Sequence, residues 1–115
     1  VILALGANDG LRGFTAVEIR RNLELMIGVC RKHNARILFV GMKALPNYGE
    51  EYMREFEAVF SELAEKHKLD FLPFLLEGVA GEREYTQPDG LHPIASGYRI
   101  VADLVWERLE PMLSK

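Results

Sequence analysis

Two short stretches of this chain carry side chains whose types and spacing could do chemistry. Toward the C-terminal end, Asp89-Gly90-Leu91-His92-Pro93 sets a carboxylate three residues ahead of an imidazole, across a glycine. A histidine works as a general base near neutral pH when its other ring nitrogen is held in the right tautomer, and a carboxylate at this spacing can reach back to hold it. Asp89 would orient the ring and His92 would take the proton. A plainer reading is an Asp cap on the helix that Pro93 opens, with a surface histidine beside it. Near the start, Gly6-Ala7-Asn8-Asp9-Gly10-Leu11-Arg12-Gly13 follows an apolar run. An Asn there, with glycines that let backbone come close to a ligand, can aim its amide at a developing oxyanion. The plainer reading is a strand-to-helix turn in which Asn8 or Asp9 bonds its own backbone. Each stretch alone leaves both readings open.

The elements that must position these residues follow from the apolar pattern. Val1 to Leu5, ended by Gly6, reads as a strand buried on both faces of a parallel sheet. Thr15 to His33 reads as an amphipathic helix, with Thr15 and Glu18 as a capping box, Ile19, Leu23, Met26, Ile27 and Cys30 on one side, and Asn34 as its stop. Arg36 to Met42 is a second buried strand. Glu50 to His67 is a second helix, with Met53, Phe56, Phe60, Leu63 and Ala64 on one side. Leu69 to Leu76 is a third strand, with Pro73 at an edge or near its end. Pro93 then fixes the first turn of a last helix carrying Tyr98, Val101, Ala102, Val105, Trp106 and Leu109. Strands alternating with helices give an α/β layer system over residues 1–115, whose ligands belong at the carboxyl ends of the strands. Both stretches sit in such loops.

Composition removes several classes of function. At 115 residues, 49% of them hydrophobic, the chain can bury a core without disulfides or metals, and no apolar run approaches the ~20 residues of a membrane helix. Its 14 Lys and Arg against 17 Asp and Glu, with no basic block, lack the footprint of a nucleic-acid binder. The lone Cys30 has no partner for a disulfide and reads as a small buried apolar residue. His33 and His67 stand at polar helix ends and favour the helix dipole, which argues against a metal site built from them with Asp89 and His92. No cofactor is called for. A phosphate-binding module using the Gly6 to Gly13 loop is the alternative, although that loop lacks both a P-loop's Lys and Ser or Thr and a dinucleotide fingerprint. The acidic run Glu77 to Glu84 reads as a solvated loop.

Taken together, G-A-N-D at one strand end and D-G-L-H-P before the last helix resemble the third and fifth sequence blocks of the SGNH, or GDSL, hydrolase superfamily. L-G-A-N-D-G-L-R-G-F near the start, L-P-N-Y-G at Leu45 to Gly49 and F-L-P-F at Phe71 to Phe74 resemble its bacterial acyl thioesterase, lysophospholipase and arylesterase subgroup. The resemblance implies a flavodoxin-like α/β/α fold with a parallel sheet, here incomplete at about three strands and three main helices. It further implies a carboxylic ester hydrolase acting on acyl esters or thioesters through a Ser-His-Asp triad. Asn8 would be the oxyanion donor, and Asp89 and His92 two members of the triad. Gly6, Gly10, Leu11, Leu45 and Pro46 would contact substrate, the segment from Gly10 to Thr15 would line the acyl site, and the compartment would be the periplasm or the exterior.

Two parts of the family pattern are absent: the G-D-S-like block that supplies the nucleophilic serine, and the block that supplies an oxyanion-hole glycine. Ser61, Ser96 and Ser114 stand in helical or terminal positions without a strained turn to expose them. The chain also opens without Met, directly inside an apolar run. The expectation is therefore the C-terminal part of a single hydrolase domain, inactive alone. Its exposed sheet edge would be covered by a missing N-terminal segment or by self-association.

Overall fold

The structure, a computed structural model, describes residues 1–44 and 46–113, with Pro46 through its backbone alone. In chain order the elements are β1 (Ile2–Leu3), α1 (Ala7–Leu11), α2 (Ala16–Lys32), β2 (Leu38–Val40), a 3-10 turn (Pro46–Tyr48), α3 (Glu50–Lys66), β3 (Asp70–Leu72) and α4 (Ala95–Leu113). They fall into two compact units, Val1–Pro73 and the chain from Phe74 onward.

Helix α2 begins where the Thr15 hydroxyl accepts the backbone N–H of Glu18 and the Glu18 carboxylate accepts that of Thr15, at 3.2 and 2.9 Å. Two of the orphan donors of a helix start are thereby satisfied reciprocally. Its end is closed by Asn34 at φ 58°, with Ala35 N–H bonding Cys30 carbonyl and Asn34 N–H bonding Arg31 carbonyl. Helix α3 stops the same way. Lys68 takes φ 53°, Leu69 N–H bonds Ala64 and Lys68 N–H bonds Glu65. This double bond of the last turn turns each helix sharply into the next strand. Lys68 adopts the left-handed conformation without the freedom of glycine.

In the first unit the three strands run parallel in the order β1-β2-β3, with Ile2 opposite Leu38, Leu38 opposite Asp70 and Val40 opposite Leu72. Each neighbouring pair is joined through one long helix, the arrangement that parallel pairing requires. The main core cluster lies on one side of the sheet, where Leu3, Ile37 and Phe39 pack with Ile19, Leu23 and Ile27 of α2 and with Phe56, Val59, Phe60, Leu63 and Ala64 of α3, and Leu38, Val40 and Leu72 on the opposite pleat face are buried as well. Phe56, Phe60, Phe39 and Phe71 follow one another at ring separations of 5.3, 5.7 and 6.0 Å. Fully burying each such side chain contributes roughly 1.5 to 3 kcal/mol. Cys30 packs half-buried against this cluster as a small apolar residue.

Several expectations require correction. The strand expected from Val1 to Leu5 is two residues long, and of that run only Leu3 is buried. Its single strand neighbour among the described residues is β2, and Ile2 lies on the pleat face opposite Leu3, 47% exposed. The stretch Gly6 to Gly13, expected as a loop, contains the helical turn α1. Pro93 does not open the last helix: it forms an antiparallel bridge with Thr86, and α4 starts at Ala95. Along α4 only Gly97 is buried. Val101, Val105 and Leu109 form a half-buried stripe at four-residue spacing, while Tyr98, Ala102 and Trp106, one position further round, are exposed. A stripe of that width is narrower than a typical core-facing one.

Gly41 ends β2, and a β-carbon at that position would be driven into the carbonyl oxygen of Pro73. Because the obstacle is backbone, Gly41→Ala should destabilise the protein by about 1 to 3 kcal/mol, as overpacking does. Thr15→Ala, which removes one half of the capping box, should cost about 1 kcal/mol. Urea denaturation midpoints of both variants against the parent check these values, and an unshifted midpoint contradicts either one.

Candidate active site

The turn that holds Asp89 and His92 is built almost wholly from bonds within residues 79–94. Glu82 N–H bonds Val79 carbonyl, Tyr85 N–H bonds Glu82 carbonyl, and the buried Thr86 hydroxyl donates to Glu82 carbonyl at 2.8 Å. Gly81 N–H reaches Gly90 carbonyl at 3.1 Å, and Gln87 N–H reaches His92 carbonyl at 2.7 Å. Ile94 N–H bonds Tyr85 carbonyl at 2.9 Å, which ties the start of α4 to the same loop. Gly97 in the first turn of α4 has no room for a β-carbon against Tyr85 carbonyl, so helix and loop are in direct backbone contact. The acidic run expected as solvated loop is thus partly structural: Val79 is fully buried, and the carbonyls of Val79 and Glu82 frame the turn.

Within this frame Gly90 takes φ 73°, a conformation glycine adopts at no steric cost, and lets the chain double back. Asp89 Oδ1 then accepts the backbone N–H groups of Leu91 and His92 at 2.9 and 3.0 Å, while Oδ2 lies 2.5 Å from His92 Nδ1. The carboxylate caps its own turn, not α4. Bonding from His92, then from the two backbone amides, holds the Asp89 carboxyl down at about 2 from its ordinary 3.8. Three donors to one ionised carboxylate favour the charged form. With Nδ1–H donated to Asp89, the lone pair of His92 falls on Nε2, which has no partner among the described residues, on a side chain open to solvent. An imidazole so held can accept a proton at Nε2 and return it.

Asn8 belongs to the first unit, at the second position of α1, directly beyond the carboxyl end of β1. Gly6 at φ 105° turns the chain into that helix, and Gly10 N–H bonds Gly6 carbonyl at 3.1 Å. Neither Asn8 nor Asp9 hydrogen-bonds the turn through its side chain, as the plainer reading required. The Asn8 amide is exposed and makes no hydrogen bond among the described residues. Gly10 is buried, and a β-carbon there would come within 2.6 Å of the Phe56 ring, so its visible role is packing and not ligand contact. Leu11 is exposed, and its carbonyl accepts the Tyr48 hydroxyl at 2.6 Å. Leu45 lies outside the described residues, and Pro46 opens the 3-10 turn.

The structure therefore brings Asp89 and His92 together in the second unit, and gathers Gly6, Asn8, Gly10 and Leu11 around α1 in the first. The serines stand apart from this chemistry. Ser61 Oγ donates to Ala58 carbonyl inside α3, Ser96 Oγ to Glu84 carbonyl, and Ser114 lies outside the described residues. His33 and His67 are committed at helix ends, His33 Nδ1 to Val29 carbonyl and His67 Nε2 to Glu24, which also accepts Lys66. These bonds draw the Glu24 carboxyl below its ordinary value. Among the described residues no group of three or more His, Cys, Asp or Glu could hold a metal ion.

Sequence reading passed over Tyr48, Tyr52, Thr86 and Gln87. Tyr52, Phe56 and Phe60 recur at four-residue spacing, the signal that could have placed Tyr52 on the aromatic face of α3, whereas Tyr48 stands in the 3-10 turn before that helix.

Comparison with known proteins adds ancestry to this geometry. A model of the GDSL-like lipase/acylhydrolase family matches residues 1–100. Esterase TesA of Pseudomonas aeruginosa is 37% identical over 113 residues, covering 98% of this chain and 56% of that protein. Thioesterase 1/protease 1/lysophospholipase L1 of Escherichia coli is 32% identical over 114 residues, covering 99% of this chain and 55% of that protein. The chain thus spans about half the length of the curated relatives it matches. A crystal structure of TesA superposes with a TM-score of 0.91 at 37% identity, over 98% of this chain and 63% of that one. With sequence and backbone in agreement along nearly all of its length, the chain belongs to the GDSL-like lipase/acylhydrolase family.

Proposed function

We propose that this chain carries the general base and an oxyanion donor of a serine ester hydrolase whose substrates are acyl esters or thioesters. The observation that carries the reading is the Asp89–His92 pair, with Nδ1 bound to a charged carboxylate and Nε2 unpartnered among the described residues. Relatives bearing the names esterase, arylesterase and thioesterase support the substrate class. The exposed and uncommitted amide of Asn8 supports its role as donor.

The nucleophile in this reading is a serine on polypeptide outside these 115 residues, since neither Ser61 nor Ser96 is disposed to serve. Its hydroxyl oxygen bonds to the acyl carbon while its proton passes to His92 Nε2. Asp89 steadies the resulting imidazolium. The Asn8 amide and backbone N–H groups bind the oxyanion. Collapse of the tetrahedral species breaks the bond to the leaving oxygen or sulfur, which takes the proton from Nε2. Water then repeats the sequence on the acyl-enzyme and frees the acid. Leu11, Leu45 and Pro46 are the apolar contacts proposed for the acyl chain. The exposed apolar run at β1 is the edge on which the nucleophile-bearing segment, or a second copy, would pair.

The test is hydrolysis of a p-nitrophenyl ester by the complete enzyme. Asn8→Ala should lower kcat by roughly 10²- to 10³-fold, and Asp89→Asn by as much as ~10⁴-fold, since the wrong imidazole tautomer disables the base. His92→Ala should abolish turnover above the residual that binding supplies. Full activity in His92→Ala removes the reading, and an unchanged kcat in Asn8→Ala removes that residue from it. The turn makes a separate acid-side prediction. Because the Asp89 carboxyl is depressed in the folded protein, its contribution to stability is present above pH 3.8 and is lost as pH falls toward 2. NMR titration of the Asp89 carboxyl should give a midpoint near 2, moving up toward 3.8 in His92→Ala. A midpoint that stays put means that His92 is not the cause.

A further inference from the structure

His92 lies on a short two-stranded ribbon, and a buried hydroxyl stands behind it. Gln87 N–H bonds His92 carbonyl at 2.7 Å and Ile94 N–H bonds Tyr85 carbonyl at 2.9 Å, so residues 85–87 and 92–94 run antiparallel with Thr86 directly opposite Pro93. The two bonds flank that pair and leave it the non-bonded position, where side chains come closest and a proline forfeits no ladder bond. Alternation along the ribbon sends Thr86 and Pro93 to one face, and Gln87 and His92 to the other. The first face is closed, with both residues buried, and the second is exposed. Pro93 is also held from α4: its β-carbon stands 3.0 Å from where a side chain on Gly97 would begin.

Thr86 is the one buried polar residue among the described residues, and its hydroxyl donates to Glu82 carbonyl at 2.8 Å. That carbonyl already accepts Tyr85 N–H at 3.0 Å, so it keeps a partner if the hydroxyl is removed. The bond therefore acts on Thr86 and not for Glu82. A β-branched side chain has few χ1 states, and the bond selects one of them. It ties the ribbon to the preceding turn at the point opposite Pro93, one residue from the imidazole. Asp89 fixes how the ring is turned, but it sits with His92 on the loop that joins the ribbon's two halves. Where the pair stands depends on the ribbon.

We propose that Thr86 is a positioning residue, whose buried hydroxyl anchors the ribbon at Glu82 and so sets where His92 presents Nε2 to the reacting groups. This rests on the hydrolase reading above. A small displacement of a base lowers turnover without weakening substrate binding. Loss of the hydroxyl thus lowers kcat and spares KM, while the Asp89–His92 bond, made inside the loop, persists.

The experiment uses the complete enzyme with Thr86→Val, which deletes the hydroxyl and keeps the shape, and Thr86→Ser, which keeps the hydroxyl. Kinetic constants are measured on p-nitrophenyl acetate, with active sites counted by titration with a p-nitrophenyl phosphonate ester so that unfolded protein does not enter kcat. Amide exchange is followed at Gln87 and Ile94, and the Asp89 carboxyl is titrated by NMR. In Thr86→Val exchange should quicken and kcat should fall, each about two- to tenfold, with KM changed less than about twofold. The Asp89 midpoint should stay near 2, and Thr86→Ser should hold kcat within about twofold of the parent. An unchanged kcat in Thr86→Val overturns the proposal. So does a serine variant that falls as far as the valine one, because the methyl group and not the hydroxyl then matters. An Asp89 midpoint that climbs toward 3.8 in Thr86→Val marks collapse of the loop, a merely structural role, and overturns it too. A parent enzyme that hydrolyses no ester overturns the hydrolase reading and this proposal with it, whereas an active parent indifferent to Thr86→Val overturns this proposal alone.

Discussion

The interaction on which the proposed chemistry depends is a carboxylate with three donors to satisfy it. Asp89 would be an ordinary exposed acid if it faced only water. It binds instead the amides of Leu91 and His92 through one oxygen and the imidazole through the other. The two backbone bonds fix where the carboxylate stands, and the third bond fixes how the ring is turned. Neither would hold alone: an unanchored Asp89 would let the ring rotate, and an unpaired ring would sample both tautomers. Because the pair is open to solvent, its strength comes from geometry and hydrogen bonding and not from a dry environment.

Around α1 a different constraint operates. The Asn8 amide is exposed on a turn whose backbone is fixed: Gly6 bends in a left-handed conformation, Gly10 lies against Phe56, and two phenols hold the carbonyls beyond. The glycines that looked like openings for a ligand serve, at Gly10 at least, to admit an aromatic ring from α3. The first unit spends its aromatic side chains along one line, from Tyr48 through Tyr52, Phe56 and Phe60 to Phe39 and Phe71. That line couples the surface segment beside Asn8 to the centre of the sheet.

How much of this could be read from residues alone varied with the range of the forces involved. Helices α2 and α3 were legible to within a residue or two, because the capping box at Thr15 and Glu18, the stop at Asn34 and the apolar spacing are local and agree with one another. The central strand was legible from its composition. The short helix at Ala7–Leu11 was not, since a glycine, an Asn and an Asp among five residues disfavour a helix and tertiary contacts with Phe56 decide the matter. Pro93 misled because its fixed φ suits a helix start and a bridge equally, and the partner that selects the bridge, Thr86, stands seven residues back. The Asp89 and His92 spacing was visible as a possibility. What turned it into a pair was the web of amide bonds from Val79 to Ile94, and no residue type announces that web.

The closing of that web within so short a stretch of chain has a consequence for assembly. Bringing together the ends of a loop of this size costs little entropy compared with joining distant segments. Asp89 and His92 can thus take up their paired geometry early, as a local event in the folding of this region. In the proposed mechanism, what must be arranged over long range is only the placement of this ready-made fork against the nucleophile and the oxyanion donor.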